Sequence, residues 1–274
     1  MGLRITLAWG AAAMGRTLVT MSNPLPQVLL DRLAAMRFLP QPLPESPMGL
    51  FAEWFDEAQS ARRQPNPNCM TLATLSEGRG NSLAARVVLC RGMDVPQGYI
   101  VFFTNYMGRK GRELLSNPRA AVVFHWDHED KQVRMEGPVV PSPAHESDDY
   151  FQSRPWESRL SAWASNQSQP LLAREDLVAR VEQVISELGL DPNEIVAKGN
   201  AVQIPRPPHW GGFRLWCERV ELWIGGPGRL HDRARWERTL TERGGGIRDV
   251  EALRGREWPE GYEASGWKVT RLHP

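Results

Sequence analysis

Hydrophobic and polar residues alternate with two different periods along the chain, and the period changes after residue 65. Residues 49–61, GLFAEWFDEAQSA, carry apolar side chains every three or four positions, which predicts an amphipathic helix. The pattern then shifts to short apolar, β-branched and aromatic runs, which predict strands. These runs are CMTLATL (69–75), SLAARVVLC (82–90), GYIVFFTN (98–105), RAAVVFHW (119–126) and KQVRMEGPVV (131–140). The glycine-bearing SEGRGN (76–81) predicts a hairpin turn between the first two strands.

The middle of the chain returns to a helical period. Residues 142–155 predict a helix that begins with a serine cap and ends before Pro155, and residues 174–188 place their apolar side chains on one helix face. Residues 104–118 predict a loop that opens into a short helix. Strands are predicted again over 211–225 and 267–272, and a glycine- and charge-rich insertion precedes the last of them at 241–266.

Consecutive strands with few helices between them, completed by later strands, predict an antiparallel barrel in a mainly β fold with helices (α+β). The proline-rich PQPLPESP (40–47) separates a leader, residues 1–47, from one folded domain at 48–274. The first 30 residues contain no Asp or Glu, which fits a targeting segment. Met14 and Met21 also allow a disordered leader or a mis-assigned start, which we favour.

Composition excludes several classes of function. The 33 basic and 32 acidic residues give a net charge of +1, so nucleic acid is not an expected partner. No apolar run approaches the length of about 20 residues that spans a bilayer, so no membrane partner is expected either. The three cysteines are far apart and predict core residues in a reducing compartment, the cytoplasm. The His125 and His128 pair predicts a solvated strand end, and no metal is expected.

Basic residues gather beside the predicted strand ends. Arg86 and Arg91 flank the apolar VVLC, and Arg109 and Lys110 follow the strand that carries Thr104. An unpaired charge among the apolar neighbours of Arg86 would be costly, and an anionic ligand would offset that cost. Forked guanidinium donors suit phosphate oxygens, and lysine adds a point charge. Ordinary surface salt bridges explain the same spacing equally well.

Two further polar groups follow. GPGRLHDRARW packs Arg229, His231 and Arg233 behind a glycine-rich turn, which fits either a phosphorylated or carboxylated ligand or a polar hairpin end. In YFQSRPWES, the four-residue spacing of Tyr150 and Arg154 predicts one shared helix face, and an ion-paired helix terminus is the alternative. The residues by themselves therefore predict a β-barrel with two or three anion-binding clusters.

These clusters occur in an order that resembles the pyridoxine 5′-phosphate oxidase family. The resemblance runs from about Leu50 to Pro274, and its most specific motifs are RVVLCR, FFTN…GRKG, KQVRMEG, YFQSRPWES, NQSQ, WGGFR, ELWIGG and RLHDR. It implies the Greek-key split barrel of FMN-binding flavoproteins and a homodimer with active sites at the subunit interface. The implied reaction oxidises pyridoxine or pyridoxamine 5′-phosphate to pyridoxal 5′-phosphate, with O2 reduced to H2O2.

Carried over by position, the resemblance also implies the site. The residues implied for FMN are Arg86, Val87, Val88, Leu89, Cys90, Arg91, Phe103, Thr104, Arg109, Lys110, Gln132, Gln167, Ser168, Trp223 and Arg233. Those implied for the substrate are Arg91, Tyr150, Arg154 and Ser158 at its phosphate and Arg229, Leu230 and His231 at its ring. Arg229 and His231 are the implied catalytic pair, orienting the substrate or handling protons.

Three departures from the family pattern concern the substrate more than the flavin. Arg91 stands where the family usually has lysine. SRLSAW replaces SQIGAW and so introduces Arg159 and Ser161. QVLLDRLAAMRFLP replaces the usual arginine–tyrosine segment that covers the substrate. Two alternatives therefore stay open. One is a related flavin oxidase of secondary metabolism, of the phenazine-biosynthesis type, and the other is a non-catalytic module that binds flavin or pyridoxal phosphate.

Overall fold

The computed structural model describes residues 26–28, 31, 36–76, 82–244 and 258–274. The chain divides into two units, Met1–Met36 and Arg37–Pro274, and the fold below is that of the second. Its helices are α1 (Pro47–Ala61), α2 (Arg109–Ser116), α3 (Ala144–Gln152), α4 (Trp156–Ala164), α5 (Arg174–Glu187) and α6 (Pro192–Lys198). Most of the predicted leader, the tip of the first hairpin and residues 245–257 of the insertion lie outside the described residues.

The strands are β1 (Cys69–Leu75), β2 (Leu83–Leu89), β3 (Gly92–Asp94), β4 (Tyr99–Asn105), β5 (Arg119–Trp126), β6 (Lys131–Pro141), β7 (Trp210–Trp216), β8 (Arg219–Ile224), β9 (Asp232–Glu237), β10 (Leu240–Arg243), β11 (Gly261–Ala264) and β12 (Lys268–Leu272). Ten of them form one antiparallel sheet along the path β12-β9-β8-β6-β5-β1-β2, with β7, β4 and β3 branching from β6. β10 and β11 pair separately, so the ends of the insertion form a small hairpin.

Strand β6 closes the barrel because it pairs with two partners in turn. Its first half pairs with β8, and residues Val139–Pro141 pair with β7. Gly137 lies at the change of partner, where a Cβ atom would sit 1.9 Å from the Trp216 carbonyl oxygen. The close approach of the two backbones therefore requires glycine at this position.

Helix α1 covers one end of the barrel and forms as the sequence predicts. The Ser46 hydroxyl caps it by accepting a hydrogen bond from the Met48 N–H at 3.3 Å, and Pro47 occupies its first turn. Phe51 packs against Phe124 with ring centroids 5.2 Å apart, and both side chains are fully buried. The helix thus belongs to the main hydrophobic core of the barrel.

Two of the predicted elements differ in the structure. Ser142 does not cap α3, because its backbone N–H continues the sheet by donating to the Gly212 carbonyl, and Pro143 takes the cap position without a side-chain hydrogen bond. The continuous run 211–225 is divided into β7 and β8 at Cys217 and Glu218, where Glu218 N–H donates to Glu136. Within the described ranges, no helix has both the length and the apolar character needed to cross a membrane.

Candidate active site

A buried carboxylate joins two of the predicted phosphate-binding arginines. Glu113, on α2, is 3% exposed and accepts hydrogen bonds from Arg86 Nη2 and Arg109 Nε, both at 2.8 Å. The hydroxyl of Thr74, on β1, donates to the same carboxylate at 2.5 Å and accepts from Arg86. Burial raises the pKa of Glu113, but the hydrogen bonds from Thr74, Arg109 and Arg86 outweigh it and hold that pKa below its usual value.

Lys110 extends this group toward β4 and residue 167. Its Nζ donates to Thr104 Oγ1 at 3.0 Å and to Gln167 Oε1 at 2.7 Å. Burial and the nearby charge of Arg86 lower the pKa of Lys110 to about 8, against the opposing effect of Glu113. Gln167 packs closely against Gly108, since a Cβ atom there would lie 2.5 Å from Gln167 Oε1 and would displace that side chain. We call Arg86, Arg109 and Lys110 the basic cluster.

The basic cluster keeps hydrogen-bond donors that are free to bind a ligand. Among the described residues, Arg109 has a hydrogen-bond partner only at Nε, which leaves both terminal nitrogens available on a side chain that is 57% exposed. Lys110 has three donors and two acceptors. No side chain caps the N-terminus of α2, whose first backbone N–H groups have no partner within the helix. These features together suit a phosphate group.

Aromatic rings line the second predicted group. Tyr150 stacks on Phe103 with centroids 4.1 Å apart, and the Arg91 guanidinium lies 5.6 Å from the Tyr150 ring centre. The Arg154 guanidinium lies 4.6 Å from the centre of the Trp210 ring. Its Nη1 is buried without a hydrogen-bond partner, and burial lowers the pKa of the group. A buried guanidinium donor without an acceptor fits an anionic ligand.

The prediction that Tyr150 and Arg154 share one helix face is wrong. Helix α3 ends at Gln152, and Arg154 lies in the turn before Pro155, because the residue that precedes a proline disfavours helical backbone. The two side chains still meet the same aromatic group, since Tyr150 and Arg154 both lie against Phe103 or Trp210, whose rings stack 5.6 Å apart. A cavity of about 390 Å³ opens beside Arg91 and Tyr150.

The third predicted group is built across neighbouring strands. The pairing of β6, β8 and β9 aligns Gln132, Trp223 and Arg233 in one row. Arg233 Nη2 donates to Glu221 at 2.6 Å, and its buried Nε has no partner. His231 lies against Trp223 with ring centroids 4.6 Å apart, and its Nδ1 accepts from the Gly226 N–H at 3.1 Å.

The turn before His231 is conformationally unusual. Gly228 and Arg229 have φ values of 63° and 64°, in the left-handed region that only glycine enters without cost. Arg229 is exposed, as is the side chain of Leu230. The turn therefore presents the Arg229 side chain to solvent next to the row of Gln132, Trp223 and Arg233.

The structure divides the predicted residues into two assemblies. The first holds the basic cluster with Thr104 and Gln167 and, starting from the neighbouring residue on β4, Phe103 with Arg91, Tyr150 and Arg154; the second holds Gln132, Trp223, Arg229, His231 and Arg233. In the described parts of the chain, no hydrogen bond, ion pair or ring contact links the two assemblies. Among the remaining predicted residues, Val87 and Ser168 are exposed, Val88, Leu89 and Ser158 are half-buried, and Cys90 is buried in the core.

Sequence reasoning missed three contributors: Thr74, Glu113 and Trp210. Glu113 had a usable signal, because it follows Arg109 by four residues on a predicted helix, the spacing of an ion pair. Thr74 and Trp210 had none, because they reach the site through strand pairing with residues far away in the chain.

An antiparallel split barrel with a cationic cluster and unpartnered buried guanidinium nitrogens defines a class of protein that binds an anionic ligand on a β scaffold. Residues 55–187 match the family model described as pyridoxamine 5′-phosphate oxidase. Residues 210–274 match the model described as the pyridoxine 5′-phosphate oxidase C-terminal dimerisation region. The chain belongs to the pyridoxine/pyridoxamine 5′-phosphate oxidase family.

Known proteins agree with this assignment. Pyridoxine/pyridoxamine 5′-phosphate oxidase from Bordetella pertussis is 45% identical over 230 residues, which are 84% of this chain and 90% of that protein. The crystal structure of PhzG from Burkholderia lata 383 in complex with tetrahydrophenazine-1-carboxylic acid is similar with a TM-score of 0.64 at 28% identity, over 84% of this chain and 94% of that one. A pyridoxamine 5′-phosphate oxidase-related, FMN-binding protein from Nostoc punctiforme has the same fold, with a TM-score of 0.54 at 15% identity over 82% and 96%. The predicted family and split-barrel fold are confirmed.

Proposed function

We propose that this chain is an FMN-dependent oxidase that converts pyridoxine 5′-phosphate or pyridoxamine 5′-phosphate to pyridoxal 5′-phosphate and reduces O2 to H2O2. The observation that carries the proposal is the basic cluster, in which Arg109 and Lys110 are the first two residues of α2 and keep spare hydrogen-bond donors. Its support from relatives is the 45% identity to a pyridoxine/pyridoxamine 5′-phosphate oxidase along most of both chains. The three cysteines are free thiols, which fits the cytoplasm as its compartment.

The residues present fit FMN. Its phosphate would be held by Arg86, Arg109 and Lys110, with the backbone N–H groups at the start of α2. The orphaned Nε of Arg233 and the indole of Trp223 are the donor and ring that the second assembly offers to it. The cofactor supplies the two-electron chemistry, as hydride acceptor for C4′ of the substrate and electron donor to O2.

The chain itself binds and orients the substrate. Arg91, Tyr150, Arg154 and Ser158 would hold the substrate phosphate, with the buried Nη1 of Arg154 as the donor that lacks a partner in the free protein. Arg229 and His231 would lie over the pyridine ring. His231 accepts from the Gly226 N–H through Nδ1, so its Nε2 is the atom left to contact substrate or hold a proton.

We further propose that each active site is formed by two copies of the chain. Within the described residues, no hydrogen bond, ion pair or ring contact joins the two assemblies that the family resemblance brings to one FMN. All of the second assembly except Gln132 lies in the region matched by the dimerisation model. A partner subunit would therefore complete each site. The expectation that the protein has no nucleic-acid or membrane partner stays a prediction.

Sedimentation measures the predicted dimer directly. At micromolar concentration the holoprotein is expected to sediment at about twice the 30.9 kDa of one chain, because half of each site comes from the partner. Trp223→Ala removes the largest side chain of the second assembly. Flavin occupancy of this variant, measured beside the wild type, shows whether the second assembly contributes to the flavin site. A monomer with full flavin occupancy and turnover would refute the shared site.

The substrate is tested by mixing the yellow holoprotein with pyridoxamine 5′-phosphate or pyridoxine 5′-phosphate without oxygen. Loss of the flavin absorbance in the visible range, followed by its return and by H2O2 on admission of air, is the expected result. A reduced aromatic acid is the second candidate substrate, because PhzG shares the fold at 28% identity. Reduction by tetrahydrophenazine-1-carboxylic acid and by neither ester would establish that alternative. Bound flavin that no donor reduces would leave a binding module.

A further inference from the structure

Glu113 occupies the centre of the basic cluster, yet it cannot bind a phosphate itself. Its carboxylate is 3% exposed and accepts three hydrogen bonds, from Thr74, Arg86 and Arg109. A buried anion beside a site for another anion opposes binding by charge repulsion. Its presence there calls for a compensating role, and the geometry of the two arginines supplies one.

Glu113 fixes which nitrogens the arginines leave for a ligand. It takes the Nε of Arg109, so the side chain is held along the helix with both terminal nitrogens free. Arg86 is held more completely: Nη2 donates to Glu113, and Nη1 donates to the Leu72 and Ala84 carbonyls at 3.3 and 3.2 Å. Without the carboxylate, the half-exposed Arg109 would populate many rotamers, and ligand binding would have to restrict them.

We propose that Glu113 is a positioning residue for the FMN phosphate, which orients Arg86 and Arg109 and places a negative charge one helical turn from Lys110. The inference rests on the proposed function, because it takes FMN as the ligand of the basic cluster. The effect of Glu113 on Lys110 follows from the geometry of α2. Lys110 lies three residues before Glu113, on a neighbouring position of the same helix. The charged groups around Lys110 are Arg86 on β2 and Arg109 and Glu113 on α2.

The sign of the pH effect follows from these charges. Arg86 lowers the pKa of Lys110 and Glu113 raises it, with a result of about 8 in the free protein. Because a phosphate dianion binds the ammonium form better, FMN affinity changes little between about pH 7 and that pKa and falls as the pH rises above it. Glu113→Gln removes the negative charge, so the pKa of Lys110 drops and the fall begins at a lower pH.

The test is the FMN dissociation constant of reconstituted protein, measured by flavin fluorescence quenching between about pH 7 and 9.5, in the range where the phosphate is a dianion. Glu113→Gln is expected to weaken FMN binding about tenfold at neutral pH and to move the onset of the fall about one pH unit lower. Glu113→Asp keeps the charge but is one methylene shorter. It is expected to weaken binding while the onset stays where the wild type has it.

Glu194→Gln is the matched control, because Glu194 pairs with Lys198 four residues away on α6, at the surface. It should leave both affinity and onset unchanged. Wild-type affinity and onset in folded Glu113→Gln would overturn the inference, and if that variant does not fold, wild-type affinity in Glu113→Asp would overturn it. Wild-type protein that binds no FMN at any pH would instead refute the proposed function.

Discussion

Lys110→Ala is expected to weaken FMN binding about tenfold to a hundredfold, the range for a hydrogen bond to a charged group. The Lys110 side chain is half-buried, and its two hydrogen-bond partners among the described residues, Thr104 and Gln167, are uncharged. Glu113 supplies one nearby negative charge, and a bound phosphate would add another. Removing the lysine takes away one phosphate contact and leaves Arg86 and Arg109 to hold the ligand. The dissociation constant, from flavin fluorescence at about pH 7, below the Lys110 pKa, measures the loss.

The matched control for this variant is Lys198→Ala. Lys198 forms an ion pair with Glu194 at the surface of α6, and its removal should leave FMN affinity unchanged. Arg109→Ala is expected to have a smaller effect than Lys110→Ala, because the Arg109 side chain is 57% exposed and water screens its charge. If Lys110→Ala binds FMN as tightly as the wild type, the lysine is a surface charge and the phosphate lies elsewhere.

The sequence allowed the barrel to be predicted because its signals are local. Alternating runs marked β1, β2, β4, β5 and β6 within a few residues of their ends, and apolar residues at helical spacing marked α1. The prediction that Ser142 caps α3 was wrong because a tertiary contact outweighed the local preference of serine for a helix start. Ser142 continues the sheet, because its backbone N–H donates to the Gly212 carbonyl. A single sequence does not show which distant strand will compete for a donor.

The site shows the same division between local and distant information. Arg109 and Lys110 could be identified because they are adjacent, at the start of one predicted helix. The partners of Arg86 come from β1 and α2, and those of Lys110 from β4 and residue 167. Only the folded chain brings these together. In the proposed dimer, contact between Arg229 and the substrate depends on a second chain, so neither local pattern nor the fold of one subunit decides it.

Arg229→Ala and His231→Ala are each expected to slow flavin reduction by pyridoxamine 5′-phosphate about tenfold to several hundredfold while FMN stays bound. Both side chains lie between Trp223 and Arg233 in the chain, at or next to a turn with left-handed backbone at Gly228 and Arg229. They would hold the pyridine ring where C4′ can transfer its hydride. A small displacement from that geometry costs much rate, because the reaction depends on the distance and alignment of two atoms. Anaerobic stopped-flow absorbance measures the reduction step.

Arg154→Ala is the contrast that separates orientation from binding. Its guanidinium would contact the substrate phosphate equally in the ground and transition states, so its loss should raise KM and leave the rate of reduction at saturation nearly unchanged. Arg243→Ala, at an exposed position on β10, is the control for a lost surface charge. Wild-type reduction rates in both Arg229→Ala and His231→Ala would show that the pair is a polar hairpin end. Loss of FMN from either variant would instead make it part of the flavin site, since the two residues adjoin Trp223 and Arg233.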